Sequence, residues 1–433
     1  MRGPAVVLLL SVMLPPAASA QRSPDTASAQ RSPDTASTLA LPARLTLEDA
    51  LRLAETRSPV LLEARARAAV AESEALAASK RPNPSLDVEF RGYPLFEPDL
   101  PPVLDNVELT IAVDQEFEPG GRRSLRRDAA AIAVQASAAE GADVARRLRL
   151  DVQRAYLQVV LAQAEAAAAS ETLDGVDRVL AINRTRYEQG ELSGVELRRL
   201  QVERHRIADD ALVANLTLRN ARSRLLALLN VRPLDQPFEA VDPPLDPAAA
   251  AAVPAVEVSG RADIRALRLA EERAEADAKL QHALRIPPFS FGGGYQRDFG
   301  ANAIVLRATI PLALANRNQA GQARAAADRT LAASRTSIAE AAAELEVQLA
   351  RNAVESSRTR LAAVTSEYVR NAREALEIVL AAYRAGAATL IDYLDAQRAL
   401  RDAQRAEHRA RYDYRLSLFE LESAVGATGA LRP

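Results

Sequence analysis

The chain has no cysteine and no tryptophan, only three histidines, and aromatic residues at just 4% of its 433 positions. Without cysteine there are no disulfides, no thiolate metal sites, no sulfur nucleophile and no lipidated N-terminal cysteine. His205, His282 and His408 lie far apart, with no partner at metal-ligand spacing, and read as surface residues. The 55 basic and 57 acidic side chains leave a formal charge of −2, which implies no nucleic-acid partner. Beyond the N-terminus there is no long unbroken apolar run, so no transmembrane helix is expected and any membrane crossing falls to β-strands. Catalytic patterns are missing too. No serine sits in a nucleophile elbow, and Gly292–Gly293–Gly294 falls in a strand pattern without the Lys-Ser/Thr and helix of a phosphate loop. The chain reads as a non-enzyme with no cofactor.

Alanine, leucine, arginine and glutamate dominate instead, in long helical patterns that pack as thin bundles rather than thick cores. Arg2, the apolar Val6 to Leu14 and the small Ala18–Ser19–Ala20 read as an export signal over residues 1–20. Residues 21–43 read as a disordered polar tether, in which a Ser-Pro-Asp-Thr unit is repeated in tandem.

After the tether the chain says nearly the same thing twice. Tyr187–Glu188–Gln189–Gly190, running on through Gln201 to Asn230, returns as Tyr383–Arg384–Ala385–Gly386, through Gln397, to Gly426. Such duplication fixes the architecture before any local reading. The first copy spans 44–231, a Pro-rich irregular connector spans 232–260, the second copy spans 261–426, and 427–433 is a tail. Thr46 caps a first helix, with Asp49 three residues on. Ser58–Pro59 breaks it and starts a second, which Arg81–Pro82–Asn83–Pro84 stops. The period then becomes two, predicting strands at about 85–91 and 107–117 around a Pro-rich loop. A helix from Arg122 to about Gln189 and another from Val195 to Leu229 follow. The second copy repeats the order: a helix from Asp263, strands at about 289–297 and 302–312, a helix from about Asn316 to Ala385, and a last one from Thr389 to Val425.

Each strand has one apolar and one polar face, the lipid-out, water-in signature of a membrane barrel. Four strands per chain are too few to close, since barrels need about eight or more, and a membrane sheet cannot keep an open edge. Several chains must therefore share one barrel; the residues allow a dimer or a trimer. The long helices, arranged in a ring, would extend its bore into the periplasm. The rival from another class is a soluble periplasmic coiled-coil adaptor, which leaves the strands and the duplication unexplained.

Leu45–Thr46–Leu47–Glu48–Asp49–Ala50–Leu51, Asn83–Pro84, Arg261–Ala262–Asp263–Ile264–Arg265–Ala266, the two Tyr-x-x-Gly turns and Leu394–Asp395–Ala396–Gln397 together resemble the TolC-like outer-membrane efflux proteins. The resemblance implies a mainly α protein with a small β part, in which duplicated helical hairpins form a trimeric α-helical barrel on a shared twelve-strand β-barrel. It implies an outer-membrane duct of a Gram-negative bacterium, docked to a periplasmic adaptor and an inner-membrane pump of the RND type. Gln115 to Arg123 and Pro311 to Gln319 are similar to the CzcC-type branch, which exports divalent heavy-metal cations. Ducts for drugs or for secreted polypeptides are the alternatives within the class.

The same resemblance assigns roles. Asp392 and Asp395 share one helix face and would form carboxylate rings at the periplasmic mouth, with Tyr383 in the latch that closes it; the plainer account is two solvated acids at a helix start. Ala388 stands where a latch arginine is expected, and Glu196 is the first-copy counterpart of Asp392. Gly190, Leu192, Ser193, Gly386 and Thr389 would form the adaptor-docking tips. Asp87, Glu89, Glu108 and Asp114 would face the barrel lumen, partly offset by Arg91 and Arg307. Arg122, Arg123, Arg126 and Arg127 would meet lipid headgroups or simply solvent.

Overall fold

The structure is a computed structural model that describes residues 41–92, 108–244, 258–298 and 301–426. The expected export signal, most of the tether, the Pro-rich inter-strand loop, the middle of the connector and the C-terminal tail lie outside the described residues.

A two-residue strand β1 (Arg44–Leu45) leads into α1 (Leu47–Arg57) and α2 (Pro59–Ala78). The Thr46 hydroxyl oxygen accepts the Asp49 backbone N–H at 3.1 Å, as its spacing predicts. Pro59, with no N–H to give, occupies the first turn of α2 and fixes the break. Strands β2 (Ser85–Arg91) and β3 (Glu108–Phe117) form the first hairpin. Helix α3 (Arg122–Glu188) is 67 residues long, a rod of about 100 Å. Helix α4 (Gly194–Leu228) returns beside it, and β4 (Glu239–Ala240) follows. The second copy supplies α5 (Ala262–Ala283), β5 (Phe289–Asp298), β6 (Ala301–Thr309), α6 (Gln319–Ala363), a π-helical turn at Val364–Tyr368, α7 (Val369–Arg384) and α8 (Leu390–Val425).

The structure departs from expectation in the second copy and in the connector. Strand β6 ends at Thr309 rather than near 312, because Pro311 has no N–H for the ladder. The first long rod of the second copy starts at Gln319 rather than near Asn316, since Asn318 takes the left-handed conformation (φ 59°) and turns the chain first. That rod is also not one α-helix. The π turn at Val364–Tyr368 interrupts it, and the Thr365 hydroxyl donates to the Leu361 carbonyl at 2.8 Å. The connector is not wholly irregular either: Glu239–Ala240 pairs in parallel with Arg44–Leu45.

The main sheet runs β2-β3-β5-β6, so the two hairpins meet at β3 and β5, and among the described residues the outer strands β2 and β6 keep one edge each unpaired. All three pairings are antiparallel. All four strands join their helices at the same end of the sheet, through Ser85, Phe117, Phe289 and Thr309.

Packing follows the helix period. The buried stripe of α3 includes Ala129, Ala133, Ala136, Asp143, Arg146, Val152, Tyr156, Val159, Ala162, Ala166, Ala169, Val176, Val179 and Asn183. Alanine lets neighbouring helices approach closely, so the bundle is thin. The largest core gathers α1, the middle of α3, the end of α4 and the short β1–β4 pair around Leu45, Val152, Tyr156, Leu225, Leu226 and Phe419. The Tyr156 hydroxyl lies 2.8 Å from the Leu45 carbonyl and 2.7 Å from that of Val241, tying both short strands to α3. Burial pushes its pKa well above the usual tyrosine range. Among the described residues no helix is long and apolar enough to cross a membrane.

Candidate functional site

The sheet separates two chemistries by alternation alone. Leu86, Val88, Phe90, Ile111, Val113, Phe291, Tyr295, Ile304 and Leu306 are exposed. The register places them on one face: Leu86 opposite Val113, Val88 opposite Ile111, Ile111 opposite Tyr295, Tyr295 opposite Ile304. Ile304 and Leu306 are each 85% exposed on the edge strand. A contiguous apolar face of this extent does not stay in water.

The opposite face collects the charges expected there. Asp87, Glu89, Glu108, Asp114 and Arg307 all project from it. Arg307 Nη1 lies 3.1 Å from Asp87 and 3.3 Å from Asp114, reaching across the sheet. Glu89 pairs with Arg91 at 2.6 Å. Glu108 accepts from Gln296 at 2.7 Å, a partner that sequence reasoning missed. Phe117, Phe289 and Phe291 cluster at the helix end of the sheet, with ring centroids 5.5–6.1 Å apart.

Three of the four arginines expected to meet lipid headgroups or solvent at the strand-to-helix junction bond to the ends of neighbouring helices. Arg122 is buried and donates to the carbonyls of Leu284 and Ile286 at the end of α5. Arg123 donates to the Ser79 carbonyl at 2.7 Å. Arg126 reaches the Ala78 carbonyl at 3.3 Å and the Glu118 carboxylate at 2.7 Å. Helices α2 and α5 point their negative C-terminal ends at the start of α3, and these guanidinium groups satisfy the leftover carbonyls. Arg123 and Arg127 are both exposed, and Arg127 pairs with Asp128 at 3.4 Å.

At the far end of the helices the two turns match their expected residues. Gly190 (φ 78°) and Gly386 (φ 76°) are left-handed, which any Cβ would strain. Ser193 and Glu196 form a reciprocal cap on α4, and Thr389 and Asp392 form the same cap on α8. Leu192 is half-buried beside the first turn. Asp392 therefore has a local partner: its carboxylate accepts the Thr389 N–H at 2.8 Å and hydroxyl at 2.7 Å. The hydroxyl first, then the N–H, hold its pKa below the usual carboxylate range. Asp395 is exposed, 3.3 Å from Arg398.

Tyr383 points inward. It is 7% exposed, stacks on Tyr393 with centroids 5.8 Å apart, and donates its hydroxyl to Asn183 Oδ1 at 2.6 Å. Burial raises its pKa. Asn183 is fully buried and donates back to the Val179 carbonyl of its own helix at 2.9 Å. The Tyr383–Asn183 bond joins α7 of the second copy to α3 of the first. Beside it, Glu203 of α4 receives Arg206 of its own helix and Arg398 of α8, the latter at 3.2 Å. Arg206 and then Arg398 lower the Glu203 pKa to about 2 against the cost of burial. Sequence reasoning missed Asn183, Tyr393, Glu203 and Arg398. Only Asn183 left a signal, as an amide at a core position of the α3 stripe.

Two hairpins of this kind on a half-open sheet have known counterparts. A family model described as outer membrane efflux protein matches residues 50–231 and 256–427, one match to each copy. The chain belongs to the outer membrane efflux protein family. Its fold is that of the TolC-family trimeric channels. The crystal structure of the Campylobacter jejuni CmeC outer membrane channel superposes with a TM-score of 0.75 at 16% identity, covering 89% of this chain and 86% of that one. Among curated relatives, the cobalt-zinc-cadmium resistance protein CzcC of Cupriavidus metallidurans is 27% identical over 307 residues, 68% of this chain and 71% of that protein. The outer membrane protein TolC of Vibrio cholerae is 25% identical over 305 residues, 64% of this chain and 67% of that protein. As a member of the family the chain is a passive outer-membrane efflux channel of a Gram-negative bacterium, extending into the periplasm, and not an enzyme. The family supplies the outer-membrane component of tripartite efflux pumps, which also contain an adaptor and an inner-membrane pump.

Proposed function

We propose that three copies of this chain form the exit duct for divalent heavy-metal cations in a pump driven by an inner-membrane transporter of the RND type. The observation that carries the duct is the four-stranded sheet: apolar and exposed on one face, charged on the other, with two unpaired edges that neighbouring copies complete. The likeness to CzcC supports the metal cargo, and the acidic excess on the bore face suits cations without gripping them.

The Gly190 and Gly386 turns, with Leu192, Ser193 and Thr389, are the docking tips for the adaptor. Asp392 and Asp395 are the mouth carboxylates, with Asp392 also capping α8. Tyr383 acts as the inner half of the latch through Asn183: moving α7 away from α3 requires that bond to break. Deleting the gene from its host tests the cargo. Tolerance of zinc, cobalt and cadmium should fall and return with the wild-type gene on a plasmid. Unchanged metal tolerance with new sensitivity to organic compounds would overturn the metal reading in favour of a drug duct.

A further inference from the structure

The ion pairs on the bore face have a geometry that neither the gate nor the docking tips use. Arg307 stands on β6, at one edge of the chain's sheet, and Asp87 on β2, at the other. Between them lie Asp114 on β3 and Gly292 on β5, and Gly292 is paired with Asp114 on one side and Arg307 on the other. A Cβ on Gly292 would collide with the Asp114 carboxylate, and one on Gly294 with the backbone of Ile111 and Ala112. These glycines let β5 sit against β3 more closely than side chains allow, and they clear the path by which Asp114 meets Arg307. The Asp114 side chain is 12% exposed, whereas those of Arg307 and Asp87 are 37% and 57% exposed and remain wet. Two carboxylates and one guanidinium leave one net negative charge per chain at this level.

We propose that Arg307 is a charge-selectivity residue of the barrel bore. By bracketing Asp87 and Asp114 it sets the potential at the helix-proximal end of the barrel, and with it the preference for cations over anions in transit. This rests on the channel reading, in which the charged face lines water. Neutralising Arg307 doubles the net negative charge of the bracket in every copy around the ring. The field reaches about 10 Å at ~0.1 M salt, so the effect is local and fades as salt rises.

The cysteine-free chain makes the test clean. Thr309 lies on the same face two residues from Arg307, and Ala303 lies four residues away in the other direction, about 13 Å along the strand. Purified full-length Thr309→Cys and Ala303→Cys proteins are labelled at about 0.1 M salt with a cationic trimethylammonium methanethiosulfonate and an anionic sulfonate analogue. Adding Arg307→Gln should raise the cation-to-anion rate ratio at Thr309→Cys by roughly threefold. The change should be smaller at Ala303→Cys, should vanish in about 1 M salt, and should not appear with Arg307→Lys. Asp87→Asn should move the ratio the opposite way, which keeps the test open if one variant fails to assemble. An unchanged ratio at Thr309→Cys in both variants overturns the proposal. A thiol at Thr309→Cys that neither reagent reaches overturns the channel reading along with it.

Discussion

The two copies use one plan with different stiffness. In the first, α3 runs unbroken for 67 residues. In the second, the equivalent rod is divided by the π turn into α6 and the 16-residue α7. The repeated tyrosine carries the difference down to a single side chain. Tyr187 is 47% exposed, whereas its counterpart Tyr383 is 7% exposed and bonded to Asn183. Both copies cap the returning helix in the same reciprocal way. Duplication preserved the turn and its caps but not the tertiary role of the residues around it. The first copy acts as the strut, and the second carries a short arm fixed at its ends by a widened turn and by one buried hydrogen bond.

Single-residue deletions should break this comparison most sharply. Deleting Ala168 from α3 turns everything beyond it by about 100° and carries Val176, Val179 and Asn183 off the buried stripe. The heat-resistant trimer band on an unboiled gel should be lost. Deleting Ser366 should keep that band, because a π turn holds one extra residue and removing it restores α geometry with the downstream face in place. Equal loss in both would refute the strut-and-arm distinction. The tyrosine pair sharpens it next. Tyr383→Ala should cost about 3 kcal/mol or more as a truncated core aromatic, against about 0.5 kcal/mol or less for Tyr187→Ala on the surface, read from thermal unfolding of the purified protein. The smallest effect concerns Glu203, which links α4 to α8. Its carboxylate is held at about 2, below its ordinary value of 4.5. A depressed carboxylate stabilises the fold above its unfolded pKa and loses that contribution as pH falls through the folded one. The loss should be on the order of 2 kcal/mol between about pH 4.5 and pH 2, and Glu203→Gln should flatten the stability profile across that window.

Much of this was legible in the chain. Thr46, Pro59 and Pro84 act locally, so their spacing located helix starts and stops. The period-two stretches located the four strands and their faces, since alternation is a property of neighbours in sequence. What escaped depends on partners far away. Asn183 meets Tyr383 only when two hairpins pack, and nothing near Val364 announces a π turn. The arginines at 122–127, gathered where strand becomes helix, read as meeting lipid headgroups or simply solvent. Their carbonyl partners arrive from α2 and α5. Gly292 to Gly294 could be dismissed as a phosphate loop, but their reason lies on the neighbouring strand, in the carboxylate and backbone that a methyl group would strike.

The buried arginine at the start of α3 has one more consequence. Arg122 belongs to the first copy, while the carbonyls it satisfies, those of Leu284 and Ile286, belong to the second. Neither half is therefore self-sufficient. Severed at the connector and made as separate polypeptides, each would be left with an unanswered group at the joint, and recovery of function would demand that both fragments be present in the same cell.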